Sequence, residues 1–194
     1  MVDVATSELI LGGQKSGKSR RAETLARDWL LESPQHHAVL IATAQPWDDE
    51  MRSRIARHQA DRALRVPSMT TVEEPMKLAE AIQRHSHANT LVVVDCLTLW
   101  LTNLLMPVDE KIVERKSFAA LEAGFITPFL KAIEAARSPV VLVGNEIGLG
   151  VIPLGAEVRT FVDALGQLNQ AVAQACQRVT LMVAGLPLTL KATL

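Results

Sequence analysis

The sequence predicts an α/β fold in which a mostly parallel β-sheet is covered by helices on both faces. Short aliphatic runs alternate with longer segments of helical period, the order that builds right-handed β-α-β crossovers. Within each run the apolar residues stand at consecutive positions, as in strands buried on both sides. A third observation fixes the type. GGQKSGKS, residues 12–19, lies between the first run and the first helical segment. That is the context of a phosphate-binding P-loop, so the expected fold is P-loop NTPase-like.

The elements follow in order. ELILGG (8–13) reads as the first strand and 18–31 as the helix that the glycine-rich loop opens. AVLIAT (38–43) is the second strand, followed by a charged helix over 48–60. The Pro/Ser/Thr segment 66–75 reads as a loop, and 75–86 as a helix. LVVVDC (91–96) is the next strand, 115–136 a helix, and PVVLVGNE (139–146) a further strand. In 157–177 the residues Val158, Phe161, Val162, Leu165, Leu168 and Val172 recur at three- and four-residue steps, one face of a helix. VTLMVAG (179–185) closes the series. No repeat, low-complexity tract or linker interrupts it, so residues 1–194 are expected to form one domain.

Composition narrows the function classes. Apolar residues make up 48% and charged residues 21%, enough core to argue against wholesale disorder. A net charge of −1 offers no basic excess for nucleic acid. No apolar stretch is long enough to span a bilayer, and MVDVATSELILGG lacks the pattern of a signal peptide, so a cytoplasmic protein is expected. Cys96 and Cys176 show no metal-ligand spacing and are expected to be reduced and buried.

The cradle carries the chemistry. Gly12 and Gly17 let the backbone curl until its N–H groups face one concavity, and the following helix adds its dipole. Lys18 is placed to reach the β- and γ-phosphates, and Ser19 to give Mg²⁺ a hydroxyl. A second Mg²⁺ partner is expected at a neighbouring strand end. Asp95, after four aliphatic residues, fits that place; capping a helix near Leu97 is the other reading. Asn145 and Glu146, followed by Gly148, Gly150 and Pro153, form either part of a substrate pocket or a plain turn. Arg159, Asp163 and Asn169 are expected to serve packing or subunit contact, and Arg52, Arg54 and Arg57 a solvated helix face, with one of the three a candidate to steer a triphosphate.

Five histidines are present, and His36, His37, His85 and His87 read as solvated surface residues. His58 stands in DDEMRSRIARHQADR, a charged helix. Imidazole is a nucleophile when neutral and a good leaving group once protonated, the properties of a transient phosphoramidate. Spacing alone leaves His58 between that role and a solvated one.

The chain resembles the bifunctional adenosylcobinamide kinase / adenosylcobinamide-phosphate guanylyltransferase family of cobalamin biosynthesis. The motifs are GGQKSGKSRRAE, IATAQPWDDEMRSRIARH, TVEEP, DCLTLWLTNLL, VVLVGNEIGLGVIP and RTFVDALGQLNQ, which together span nearly the whole sequence. The resemblance implies two reactions. ATP or GTP phosphorylates the corrinoid hydroxyl, and GMP from GTP then passes through a histidine to the new phosphate. It makes His58 and Lys18 the catalytic residues, with Mg²⁺ on Ser19 and Asp95. It implies nucleotide contacts from Gly12, Gly13, Gln14, Lys15, Ser16, Gly17, Lys18 and Ser19, from Ala42, Thr43 and Ala44, from Gln59, Ala60, Asp61 and Arg62, and from Glu73 and Asp95. Glu73 and Asp61 are candidates for selecting guanine. It implies a homo-oligomer, a trimer, with the corrinoid between subunits. HQADRALRVPSMTTVEE departs from the family pattern: it is longer, and Met69 stands where a Trp is expected. Arg62 or Arg65 could therefore be the family's arginine, and Arg62 keeps the spacing from His58. The competing reading is a small-molecule kinase without a covalent histidine; a nucleotide-dependent switch is a third.

Overall fold

The structure is a computed structural model that describes residues 5–106, 118–151 and 153–192. Its strands are β1 (Ser7–Gly12), β2 (His37–Ala42), β3 (Met69–Glu73), β4 (Thr90–Asp95), β5 (Val140–Val143), β6 (Arg178–Val183) and β7 (Leu186–Ala192). Its helices are α1 (Lys18–Glu32), α2 (Asp49–Arg65), α3 (Leu78–His85), α4 (Leu97–Leu105), α5 (Phe118–Leu121), α6 (Thr127–Glu134) and α7 (Ala156–Ala175), with a π-helical segment, Glu122–Ile126, joining α5 to α6. One sheet has the order β3-β2-β4-β5-β1-β6-β7. All its pairs are parallel except β6–β7.

The unbroken aliphatic runs are explained by a core on each face. Leu9, Val92, Val94, Val140 and Leu142 point to one side, where α3, α4, α6 and α7 supply Leu78, Trp100, Phe129 and Leu168. Ile10, Leu91, Val93, Val141 and Val143 point to the other, onto Ala22, Leu25 and Ala26 of α1. Trp100 and Phe129 meet with ring centroids 4.8 Å apart at 48°, and the Trp100 Nε1–H donates to Met76 O at 2.8 Å. A buried indole keeps its polar edge satisfied in this way.

Several expectations need correction. The segment 66–75 is not a loop throughout: Met69–Glu73 is strand β3, paired with β2. It is an edge strand with Thr70 and Thr71 exposed, so it lacks the aliphatic run that marks the central strands. The helix expected over 48–60 continues to Arg65, and that over 75–86 begins at Leu78. The helix expected over 115–136 is interrupted by the π-helical segment, and 115–117 lie outside the described residues. Strand β7 was not among the expected elements, and helix α4 was anticipated only as a helix starting near Leu97. Leu186, Leu188 and Leu190 of β7 are mostly exposed, the reverse of a strand that feeds a core. In α7, Leu165, Leu168 and Val172 are buried as the period requires, whereas Val158 lies in solvent at the helix start. His37 opens β2, and His36 stacks on Trp29 with centroids 3.7 Å apart. His37 is exposed as expected, though in a strand rather than a loop, whereas His36 is half-buried.

Candidate functional site

The parallel strands end their carboxyl edges in one row. Ala42 is in register with Glu73 on one side and Asp95 on the other, and Asp95 with Val143. Neighbouring strands lie about 4.8 Å apart, which sets Glu73 and Asp95 roughly 10 Å from each other across β2. In an open α/β sheet this edge is where ligands bind. A cleft of about 820 Å³ opens over it, lined by the cradle, the strand ends and the inner face of α2.

The cradle is built as the motif requires. Gly12 has φ +152°, and a Cβ there would lie 2.6 Å from both Met182 O and Ser16 Oγ, so no other residue fits. Gly17, at φ +100°, is the N-cap of α1. The Lys18 ammonium donates to Gly13 O at 2.6 Å, folding the side chain back over the loop. Gly12 O accepts from the Glu146 N–H at 3.1 Å, and Ser16 O from the Gly185 N–H at 3.0 Å, tying the loop to its neighbours. The buried Ser16 Oγ has no hydrogen-bond partner among the described residues. An orphaned hydroxyl at a phosphate cradle is what a ligand oxygen would satisfy.

Helix α2 faces the cradle across the cleft. Asp48 caps it, accepting from the Met51 N–H at 2.7 Å, and Asp49 and Glu50 complement the positive end of its dipole. Arg54, His58, Asp61, Arg62 and Arg65 recur at three- and four-residue spacing, and all of them line the cleft. His58 is exposed there, without a hydrogen-bond partner among the described residues. Arg65 is committed elsewhere: it donates to Glu23 of α1 at 2.6 Å and to Asp61 at 3.2 Å. Arg62 has no such tie among the described residues. Among the described residues Arg62 thus faces the cleft unpaired, whereas Arg65 meets it already ion-paired.

The cleft is basic in an otherwise balanced protein. Lys15, Lys18, Arg20, Arg54, Arg57 and Arg62 stand against Glu50, Glu73 and Asp95, an excess suited to a polyphosphate, while Arg65 is already paired with Asp61 and Glu23. Arg54 and Arg57 are thus not merely a solvated face, whereas Arg52 turns away to pair with Asp49. Burial lowers the Lys18 pKa from its ordinary 10.5; Cys96 and Asp95 pull it back, and Arg54 lowers it further. Burial pushes the Cys96 thiol up to about 12, with the Asp95 charge adding to it, so this thiol is neutral at pH 7. The anion that faces Lys18 there is Asp95.

Asp95 ends β4, and the N-cap of α4 is Cys96, so the helix-capping alternative for Asp95 does not hold. Ser19 and Asp95 both line the cleft and offer oxygen donors of the kind Mg²⁺ takes. Two protein oxygens suit an ion that arrives with its nucleotide and keeps phosphate and water ligands. Among the described residues no group of three or more His, Cys, Asp or Glu could hold a metal.

Most of the expected nucleotide residues converge on this cleft: Gln14 to Ser19, Ala42, Ala44, Gln59, Asp61, Arg62, Glu73 and Asp95, with His58. Four do not line it. Gly12 and Gly13 shape the cradle from behind, and Ala60 lies on α2 outside the lining. Thr43 is fully buried and structural: its Oγ1 donates to Cys96 O at 2.7 Å and accepts from the Cys96 N–H at 2.9 Å. Asn145 lines the cleft and Asn169 supports it, donating to Asn145 O at 3.1 Å, a packing role as expected. The other four histidines are absent from the lining. Arg20 and Leu99 are lining residues that motif reading missed, and Arg54 was singled out only as one of three arginines on a helix face. For Arg54 the four-residue step to His58 was the available signal.

The chain is similar to known proteins of one family. A model of the family described as cobinamide kinase / cobinamide phosphate guanyltransferase matches residues 8–190. The chain is 46% identical to the bifunctional adenosylcobalamin biosynthesis protein CobP of Pseudomonas aeruginosa, covering 95% of this chain and 96% of that one. It is 35% identical to the bifunctional adenosylcobalamin biosynthesis protein CobU of Escherichia coli K12, over 94% and 98% of the two chains. Among solved structures, the flagellar accessory protein FlaH of Methanocaldococcus jannaschii is similar with a TM-score of 0.53 at 11% identity, over 98% of this chain and 80% of that one. That likeness concerns the fold alone.

Proposed function

The chain belongs to the cobinamide kinase / cobinamide phosphate guanyltransferase family, and we propose that one cradle serves both reactions while His58 serves only the second. In the first, the corrinoid hydroxyl oxygen bonds to the γ-phosphorus of ATP or GTP, the β–γ bridge breaks, and the hydroxyl proton is lost to solvent. In the second, a neutral ring nitrogen of His58 bonds to the α-phosphorus of GTP, and pyrophosphate leaves. An oxygen of the cobinamide phosphate then bonds to the same phosphorus as the P–N bond breaks. Splitting the transfer in this way replaces one difficult displacement with two easier ones.

The observation that carries this reading is that the cradle and the His58 face of α2 line the same cleft. Lys18, Arg54 and Arg62 surround it with fixed positive charge, which stabilises the charge developing on pyrophosphate. Mg²⁺ held by Ser19 and Asp95 would supply further charge neutralisation there. Glu73 is free of hydrogen-bond partners among the described residues, while Glu74 beside it caps the approach to α3 by accepting from the Met76 and Lys77 N–H groups. Glu73 is therefore the carboxylate we assign to guanine, whose N1–H and 2-amino group are donors that adenine lacks. Glu73→Gln should reduce the preference for GTP over ATP in nucleotidyl transfer by about tenfold or more; an unaltered preference removes Glu73 from selection.

The corrinoid is large for a pocket on one subunit. The segment after Asn145, a residue of the cleft lining, exposes Leu149, Val151 and Leu154 at 80%, 96% and 97%. We place the corrinoid and a neighbouring subunit there, in a cytoplasmic homo-oligomer, as the family resemblance implies for a trimer. The test of the division of labour is His58→Ala. It should lose guanylyl transfer and keep phosphorylation of cobinamide from γ-labelled nucleotide within about threefold. Loss of both activities from a folded variant would overturn the division.

A further inference from the structure

We infer that the Glu23–Arg65–Asp61 ion-pair chain is a positioning device that sets His58 over the cradle, so that Glu23 and Arg65 act on guanylyl transfer without touching nucleotide. The inference rests on the role proposed for His58. Helix α2 contributes no fully buried residue, so hydrophobic packing does little to fix its place. Glu23 is different: it lies on α1, five residues after Lys18, and its side chain is only 6% exposed. Arg65 bridges the two helices, with Nη1 2.6 Å from Glu23 Oε2 and Nη2 3.2 Å from Asp61 Oδ2. The guanidinium fork holds both carboxylates in a fixed plane, which an ammonium would not do. Hydrogen bonding to Glu23 also raises the Arg65 pKa above its ordinary value, so the guanidinium stays charged.

The lever is simple. His58 and Arg65 are seven positions apart, two turns, hence on one face and about 10 Å apart along the axis. If the clasp opened and α2 pivoted by about 10°, His58 would swing roughly 2 Å, and displacements near 1 Å can cost about a hundredfold in rate. The γ-phosphate transfer uses the cradle and would not feel that swing. Arg54 lies on the same face nearer the helix start and has no partner among the described residues, so it does not substitute as a tether.

The test uses the full-length protein and compares Arg65→Gln, Arg65→Lys and Glu23→Gln with wild type and His58→Ala. The readouts are single-turnover incorporation of label from α-labelled GTP, phosphorylation of cobinamide, and melting temperature. Arg65→Gln should slow GMP incorporation by about 10- to 100-fold. The effect should fall on the rate constant, with the GTP concentration dependence and the kinase activity within about threefold. Arg65→Lys should recover part of the loss, and Glu23→Gln should resemble Arg65→Gln. Equal loss of both activities in Arg65→Gln and Glu23→Gln would show a structural ion pair only, and no loss in either would remove the clasp altogether. If instead His58→Ala still takes up label, the role of His58 fails, and with it the premise of the clasp, whatever the Arg65 variants do.

Discussion

At the scale of single residues, the cradle shows how two neighbouring demands select residue types. Gly12 is required because a Cβ would strike backbone and hydroxyl at once, and Lys18 must be partly buried to lie over the loop. The second demand has a measurable consequence. Burial holds the Lys18 pKa below 10.5, so in the window between that lowered value and 10.5 the folded amine is neutral while the unfolded one is charged. In that window the unfolded chain binds more protons, and ligand-free stability rises with pH. A triphosphate reverses the preference, because it needs the ammonium. GTP affinity should therefore fall as pH climbs into this window, with proton uptake on binding seen by calorimetry in buffers of different ionisation enthalpy. Lys18→Gln should bind weakly and lose that dependence. The cradle was legible in the sequence because its spacing is tied to backbone geometry. His58 was not legible in the same way, since an exposed helical imidazole looks alike whether it reacts or not; the family resemblance supplied what spacing could not.

At the scale of elements, strands that feed both cores announced themselves and the edge strands did not. LVVVD of β4 places alternate residues in opposite cores, so every position is aliphatic. TTVE of β3 lies at the sheet edge, and the β-branched threonines sit in solvent, a pattern shared with loops. The ends of β2 and β4 are joined by a single side chain. Thr43 Oγ1 satisfies both the N–H and the C=O of Cys96, next to Asp95, and Asn103 Nδ2 donates to Thr43 O at 2.8 Å. Thr43→Val preserves shape but leaves the buried Cys96 N–H without its acceptor, while Cys96 O keeps the Trp100 N–H at 3.1 Å, at a cost of about 1 to 3 kcal/mol. Chemical denaturation should show that loss, and both enzymatic activities should decline together because the Asp95 end of β4 shifts. A stability unchanged within error would mean that water takes over the bond to the Cys96 N–H. Helix α2 makes the opposite case. Its amphipathic face is lined with charge rather than hydrophobes, so the sequence showed a charged helix but not which side met the cleft.

At the scale of the whole molecule, the sheet order places β1 between β5 and β6, with the other parallel strands stacked beyond β5. This brings the cradle after β1, the ends of β2 and β4 and the residues after β5 to one edge, under α2. A net charge of −1 conceals a basic cleft, which is why composition excluded nucleic acid but said nothing of a polyphosphate. The antiparallel β7 and the segment around Val151 leave leucines and valines exposed, surfaces whose place in an assembly the strand pattern did not foretell. The central claim, that one cleft holds both the cradle and a nucleophilic imidazole, is tested most directly by locating the covalent nucleotide. The protein is incubated with α-labelled GTP, denatured, digested and mapped. The account predicts an acid-labile, alkali-stable GMP adduct on the peptide containing His58, discharged by cobinamide phosphate. A wild-type enzyme that transfers GMP while its denatured chain carries no such adduct, or carries it on another residue, contradicts the account.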